Sequence, residues 1–196
     1  MAIARALLVL VAVTSVAACD KLKDSLPWQS FSIVSTSMEP TLRQGSYVTG
    51  VSVDRADLRR GDILIVRSPR AEKYVVRLAG LPGDRISMVD GRVVLDGKAI
   101  ALQPAGTWKL SDPEADLATY FEHFPGERRR HRILDDGVSP GDDFPEIVLG
   151  EDRYFLLGDN RDHAADSRYS GDFMGLGLVR GQDILRRISL DAKRPR

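Results

Sequence analysis

Lys73-Tyr74-Val75-Val76-Arg77-Leu78-Ala79-Gly80-Leu81-Pro82-Gly83-Asp84-Arg85-Ile86-Ser87-Met88-Val89-Asp90-Gly91-Arg92-Val93-Val94-Leu95-Asp96-Gly97 decides the fold class. Lys73 to Ala79 is a strand-like run stopped by Gly80-Leu81-Pro82-Gly83-Asp84. Arg85 to Val89 and Arg92 to Leu95 are two more, joined by Asp90-Gly91, and Asp96-Gly97 turns the chain again. Asp-Gly pairs between apolar runs are strong hairpin signals, because both residues tolerate the positive φ that tight hairpin turns demand. Upstream, Gly61-Asp62-Ile63-Leu64-Ile65-Val66 is a short apolar run ending at Ser68-Pro69 and reads as a buried strand. Downstream, Ile147 to Leu149 and Tyr154 to Leu157 repeat that pattern. No helical periodicity is long enough for a bundle, so the expectation is a mainly β, antiparallel fold.

Residues 103–146 break the pattern. They are rich in proline, glycine and charge and read as an inserted irregular/β subregion with one short helix near Pro113 to His123. Within it, Glu127-Arg128-Arg129-Arg130-His131-Arg132 reads as a solvated edge strand, with contact to anionic lipid as the alternative. The core is then expected over 31–102 and 147–190, after a linker at 20–30.

The chain has 196 residues, enough for one domain with a modest insertion. Its 28 Lys and Arg balance 28 Asp and Glu, which argues against a nucleic-acid binder. One cysteine excludes an intrachain disulfide and a cysteine-rich zinc site. His123, His131 and His163 are too scattered to suggest a metal cluster, and no cofactor is expected.

The first residues read as a membrane address. Arg5 precedes an uncharged, mostly apolar run from Ala6 to Cys19, 14 residues long. A spanning helix needs about 20 residues and a signal-peptide apolar region about 7–15. Val16-Ala17-Ala18-Cys19 resembles a bacterial lipoprotein box, which makes Cys19 the expected lipidation site. An uncleaved anchor helix over residues 1–19 and simple cleavage stay open. Each places the domain outside the cytoplasm against a membrane, where Trp28 and Phe31 either enter the headgroup zone or pack in the core.

Four boxes carry the chemistry. The first is Ser35-Thr36-Ser37-Met38-Glu39-Pro40-Thr41-Leu42, directly after the apolar stretch Phe31 to Val34. The second is Arg60-Gly61-Asp62-Ile63-Leu64-Ile65-Val66, and the third is Arg77 to Asp84. The fourth is Gly158-Asp159-Asn160-Arg161-Asp162-His163-Ala164-Ala165-Asp166-Ser167-Arg168. In this order they resemble type I signal peptidases, the membrane-bound S26 serine endopeptidases that remove secretory signal peptides. The resemblance implies Ser37 as nucleophile and Ser35 as side-chain oxyanion donor. It also implies a supporting frame of Arg77, Asp159, Asp166 and Arg168, with Arg77 paired to Asp166. The implied partners are preprotein signal peptides with small residues at −1 and −3 and membrane lipid, on the periplasmic side of the bacterial inner membrane.

The departure is at the base. A serine hydroxyl is a weak nucleophile until a neighbour takes its proton. The resemblance puts a lysine immediately before the third-box arginine, and here that residue is Val76. The serine that would hydrogen-bond the lysine is replaced by Ala164. A buried hydroxyl left without a partner costs about 1–3 kcal/mol, so the two losses are coherent. Three readings follow. His163 serves as base, with Lys73 a weaker candidate because strand alternation puts it on the opposite face from Val76. Alternatively the chain binds signal segments without cutting them. In the third reading Ser37 works slowly without a side-chain base. The function expected is a serine endopeptidase, and the alternative is a catalytically degenerate, membrane-anchored binding protein.

Overall fold

The computed structural model describes residues 26–110, 116–171 and 175–190. The membrane address, including Cys19, lies outside them. No helix among the described residues is long and apolar enough to cross a membrane.

The described residues form three antiparallel sheets. In chain order the strands are β1 (Trp28–Ser32), β2 (Tyr47–Val51), β3 (Ile63–Arg67), β4 (Lys73–Gly80), β5 (Arg85–Val89), β6 (Arg92–Leu95) and β7 (Lys98–Ala99). They continue with β8 (Gln103–Lys109), β9 (Asp116–Glu122), β10 (His131–Asp135), β11 (Phe144–Val148), β12 (Arg153–Leu157), β13 (Val179–Arg180) and β14 (Ile184–Ile188). The largest sheet runs β1-β2-β14-β3-β4-β12-β13, a second runs β11-β5-β6-β7, and a third runs β10-β9-β8. The fold is therefore mainly antiparallel β.

The Asp-Gly pairs form the turns their chemistry favours. Asp90 and Gly91 have φ of 48° and 73°, and Asp96 and Gly97 have 49° and 76°. Positive φ at both central residues matches the right-handed twist of the flanking strands. The run at Ile63 to Val66 is buried throughout because β3 is covered on both faces. Leu64 and Val66 join Val76, Leu78, Tyr154 and Leu156 on one face. On the other face, Ile63 and Ile65 join Ile33, Met38, Leu42 and Ile188. Met38 and Leu42 thus pin the Ser35–Leu42 loop onto the sheet. Phe31 packs against that same cluster, while Trp28 is about half exposed.

Two expectations are corrected. The stretch read as a short helix near Pro113 to His123 forms β9 from Asp116 onward, while 113–115 lie outside the described residues. Leu117 and Thr119 are buried and Asp116 and Ala118 are exposed, so the period is two rather than 3.6. Its partners β8 and β10 supply the pairing that local propensity could not reveal. The linker read to residue 30 ends earlier, since Trp28 is already paired with Val51.

Candidate active site

Ser35 and Ser37 follow the end of β1, at the entry to a loop held from both sides. Their hydroxyl oxygens are 3.0 Å apart. Among the described residues Ser35 Oγ is the side-chain hydrogen-bond partner of Ser37 Oγ, and no lysine or histidine nitrogen bonds it. The backbone is fixed by Asn160, whose N–H donates to Ser37 O at 3.0 Å. Asn160 Nδ2 donates to Thr36 O at 3.3 Å. The next turn closes with Leu42 N–H on Met38 O at 2.8 Å. Further support comes from the third sheet: Trp108 Nε1 donates to the buried Glu39 carboxylate at 2.8 Å, and Arg43 stacks on the Trp108 ring at 4.5 Å.

Residue 76, where the resemblance expects a lysine, is apolar. Val76 is buried on the β4 face that also carries Leu78, packed with Leu64, Leu156 and Leu176. Leu157 pairs with Arg77, so one step further along the register sets Gly158 against Val76. Gly158 is there because nothing larger fits: a Cβ on it would lie 2.2 Å from Ala164 Cβ and 2.8 Å from Ser37 O. Ala164 is itself buried. Ala164 and the Ser37 carbonyl thus close tightly on Gly158.

The two nitrogens expected as alternative bases make other contacts. His163 is 39% exposed and its Nε2 lies 3.7 Å from Asp136. Lys73 is exposed, with Nζ 5.5 Å above the Phe31 ring.

Behind the loop lies a buried ionic frame. Arg77 grips Asp159 with two bonds, Nε to Oδ1 at 2.7 Å and Nη2 to Oδ2 at 2.6 Å. Its Nη1 donates to Gly61 O at 2.7 Å, and Thr41 Oγ1 donates to Asp159. This corrects the expected partner: Arg77 pairs with Asp159, and Asp166 pairs with Arg168 through two bonds of 2.8 Å. Asp166 is already held by its near neighbour and by Gly158 N–H at 3.0 Å. Burial would push the Asp159 pKa up, but the Arg77 guanidinium outweighs it and holds the carboxyl below its ordinary value.

A second set of residues completes the frame, and the sequence reading missed it. Arg161 grips Glu122 with Nη1 at 3.2 Å and Nη2 at 2.5 Å. His131 lies between two carboxylates, Nε2 to Glu122 at 3.0 Å and Nδ1 to Glu127 at 2.8 Å. A neutral imidazole has one N–H, whereas two carboxylate acceptors need two, so this geometry requires imidazolium. Burial and Arg77 oppose that charge, but Glu122 and Glu127 prevail and the His131 pKa is raised. Burial likewise opposes ionisation of Glu122, yet Arg161 and His131 bring its pKa down to about 2. Three cations, Arg77, Arg161 and His131, then face three carboxylates, Asp159, Glu122 and Glu127. The only advance signal was the charged run Glu127 to Arg132, which was read as a solvated edge strand.

The comparisons agree with these motifs. Residues 3–190 match the family described as Signal peptidase, peptidase S26. A Signal peptidase I of Bacillus amyloliquefaciens is 33% identical over 150 residues, covering 76% of this chain and 66% of that protein. One from Bacillus licheniformis is 32% identical over 155 residues, covering 78% and 69%. One from Rickettsia prowazekii (strain Madrid E) is 33% identical over 129 residues, covering 59% of this chain and 46% of that protein. The chain therefore spans between about half and two thirds of these relatives' lengths. By this match across nearly its whole length, the chain belongs to the S26 signal peptidase family.

Proposed function

We propose that this protein engages the signal-peptide end of exported preproteins at the Ser35–Ser37 loop, as a serine endopeptidase of the signal peptidase I type whose unaided turnover is slow. Ser37 is the nucleophile, and Ser35 with the Ser37 backbone N–H stabilises the oxyanion. Substrates carry small residues before the cleaved bond. The site works on the outer face of the bacterial inner membrane, where the N-terminal segment holds it through Cys19 lipid or an anchor helix. The observation that carries this reading is the 3.0 Å hydroxyl pair at the family's nucleophile box, seated on an intact Arg77–Asp159 frame. Without a positioned base, a factor of about 10²–10⁴ in rate is forgone. The substrate amine or water then takes the serine proton.

A second reading is favoured by the buried Val76 and Ala164: the protein binds signal segments and does not cut them. One experiment separates the two. Full-length protein in detergent is incubated with a preprotein bearing an Ala-x-Ala site, beside Ser37→Ala. Slow cleavage that Ser37→Ala abolishes supports the peptidase. Saturable binding with no cleavage by either supports the binder. Equal cleavage by both assigns the activity to a contaminant and sinks the first reading.

A further inference from the structure

The three sheets have six edge strands, and five of them carry a feature that discourages further pairing. β7 and β13 are only two residues long. β8 contains Pro104 and slips register between Pro104 and Thr107, and β11 contains Pro145 and slips between Phe144 and Ile147. β10 is bridged to Asn160 at Leu134. The sixth, β1, has none of these. Trp28-Gln29-Ser30-Phe31-Ser32 holds no charge and no proline, and it pairs with β2 in unbroken register, from Trp28 on Val51 to Ser32 on Tyr47. No strand among the described residues lies on its other side.

The bonds at its two ends fix which backbone groups face outward. Pro27 O accepts from Ser52 N–H at 3.0 Å, and Ile33 N–H donates to Ser46 O at 2.8 Å. Positions 27, 29, 31 and 33 therefore point at β2, and the N–H and C=O groups of Trp28, Ser30 and Ser32 point away from it. The side chains of those three residues are exposed, whereas Phe31 packs against the core. Leu26, Val34 and Tyr47, the last registered with Ser32, are exposed as well. An uncharged edge with outward backbone groups and apolar side chains around it is a template for another strand.

We propose that the strand it takes is β1 of a second copy of this chain, antiparallel about a two-fold axis through Ser30. That register sets Ser30 against the partner's Ser30 and Trp28 against the partner's Ser32. Pairs of this kind exchange both their bonds, about six in all. Continued outward, the register carries Leu26 opposite the partner's Val34 and sets Trp28 beside the strand whose neighbour holds the partner's Tyr47. The exposed apolar side chains at this end thus meet one another, and no charge faces a like charge across β1. At one hydrogen bond per 100–200 Å², six bonds correspond to about 600–1,200 Å², the size of a weak association. A shared membrane strengthens it. The two Leu26 residues stand about 27 Å apart along the paired strands. Cys19 lies seven residues before Leu26, a reach of about 23–25 Å, so both N-terminal segments can meet one membrane surface. Tethering on one surface raises the effective concentration of each strand for the other. The proposal concerns self-association alone, so it stands or falls independently of whether Ser37 cleaves.

The test is sedimentation velocity of full-length protein in dodecyl maltoside over a series of concentrations. Wild type should pass from monomer to dimer as its concentration rises. Ser30→Lys and Ser30→Glu, at an exposed position, each set a charge against itself across the axis and should weaken the dimer about tenfold or more. An equimolar mixture of the two variants should restore it, which also shows that both are folded. Gln103→Lys, an equal charge change at an exposed residue of the β8 edge, should leave the dimer unchanged. A dimer that survives both Ser30 changes would place the contact elsewhere and overturn the proposal. Loss in each variant without restoration in the mixture would overturn the two-fold register. Wild type that stays monomeric while its β1 amides resist hydrogen exchange would overturn the second copy in favour of the chain's own N-terminal segment. Monomeric wild type that binds an extended signal-peptide segment, with the binding lost in Ser30→Lys, would give the edge to that segment instead.

Discussion

The ionic frame and the surroundings of Val76 and Ala164 lie within one fold and differ in polarity: the first is built of buried charges, the second of apolar side chains. In the frame, Arg77, Arg161 and His131 are buried and each meets a carboxylate within 3.0 Å. At the positions where the resemblance expects a lysine and its hydroxyl partner, Val76 and Ala164 are apolar and buried. Removing one member of a buried ion pair strands its partner at high cost, whereas replacing two partners together by apolar groups is nearly neutral. Removing one residue of the frame strands a buried charge, whereas the buried Val76 and Ala164 strand none.

Breaking the frame should give the largest effect. Arg77→Met leaves Asp159 charged and buried, and should cost about 3–5 kcal/mol in denaturant unfolding or prevent folding. If the loss were under about 1 kcal/mol, the frame would not be the constraint described here. A smaller effect is expected at the junction between the third sheet and the serine loop. Trp108→Phe keeps the ring but removes the N–H from Glu39, and should cost about 1.5–3 kcal/mol, the range for bonds to charged groups.

The frame should also register in pH. The folded pKa of Glu122 is depressed to about 2 from 4.5, so its contribution is present above 4.5 and is lost as pH falls toward 2. His131 is raised above 6.5, so its contribution is complete below 6.5 and is lost as pH rises through the folded value. Thermal stability should fall on both sides of this window, and His131→Gln should flatten the alkaline limb. An unchanged alkaline limb in that variant would remove the imidazolium from the account. The smallest effect belongs to the exposed loop: His163→Ala should change stability by less than about 0.5 kcal/mol and leave any cleavage rate as it was. A large loss of rate would restore His163 as the base.

The strands were legible because their signals are local. The run at Ile63 to Val66 and the two Asp-Gly turns are read from neighbours in sequence, and they fold as read. The frame was not legible because it is long-range. Arg161 and Glu122 are 39 residues apart, and Arg77 and Asp159 are 82 apart. No spacing rule connects such pairs, so the resemblance supplied Asp166 as the partner of Arg77 where the structure has Asp159. The short helix failed for a related reason. Leu117 to Glu122 form a strand because β8 and β10 flank them, a context absent from the segment itself. The four motif boxes located Ser35 and Ser37, and Val76 stood out only because the resemblance expects a lysine immediately before Arg77.

The most direct measurement compares preprotein cleavage by wild type, Val76→Lys, Ala164→Ser and the double variant, at pH 8–9 in detergent. A lysine buried without its hydroxyl partner gains little, because burial lowers its pKa while nothing positions it. The two groups act as a unit, so the double variant should exceed the product of the two single gains. The account predicts that only the double variant gains substantial Ser37-dependent cleavage, with the Arg77–Asp159 frame unaltered. Wild-type cleavage that the double variant cannot exceed would contradict it, because the native site would then already hold a base.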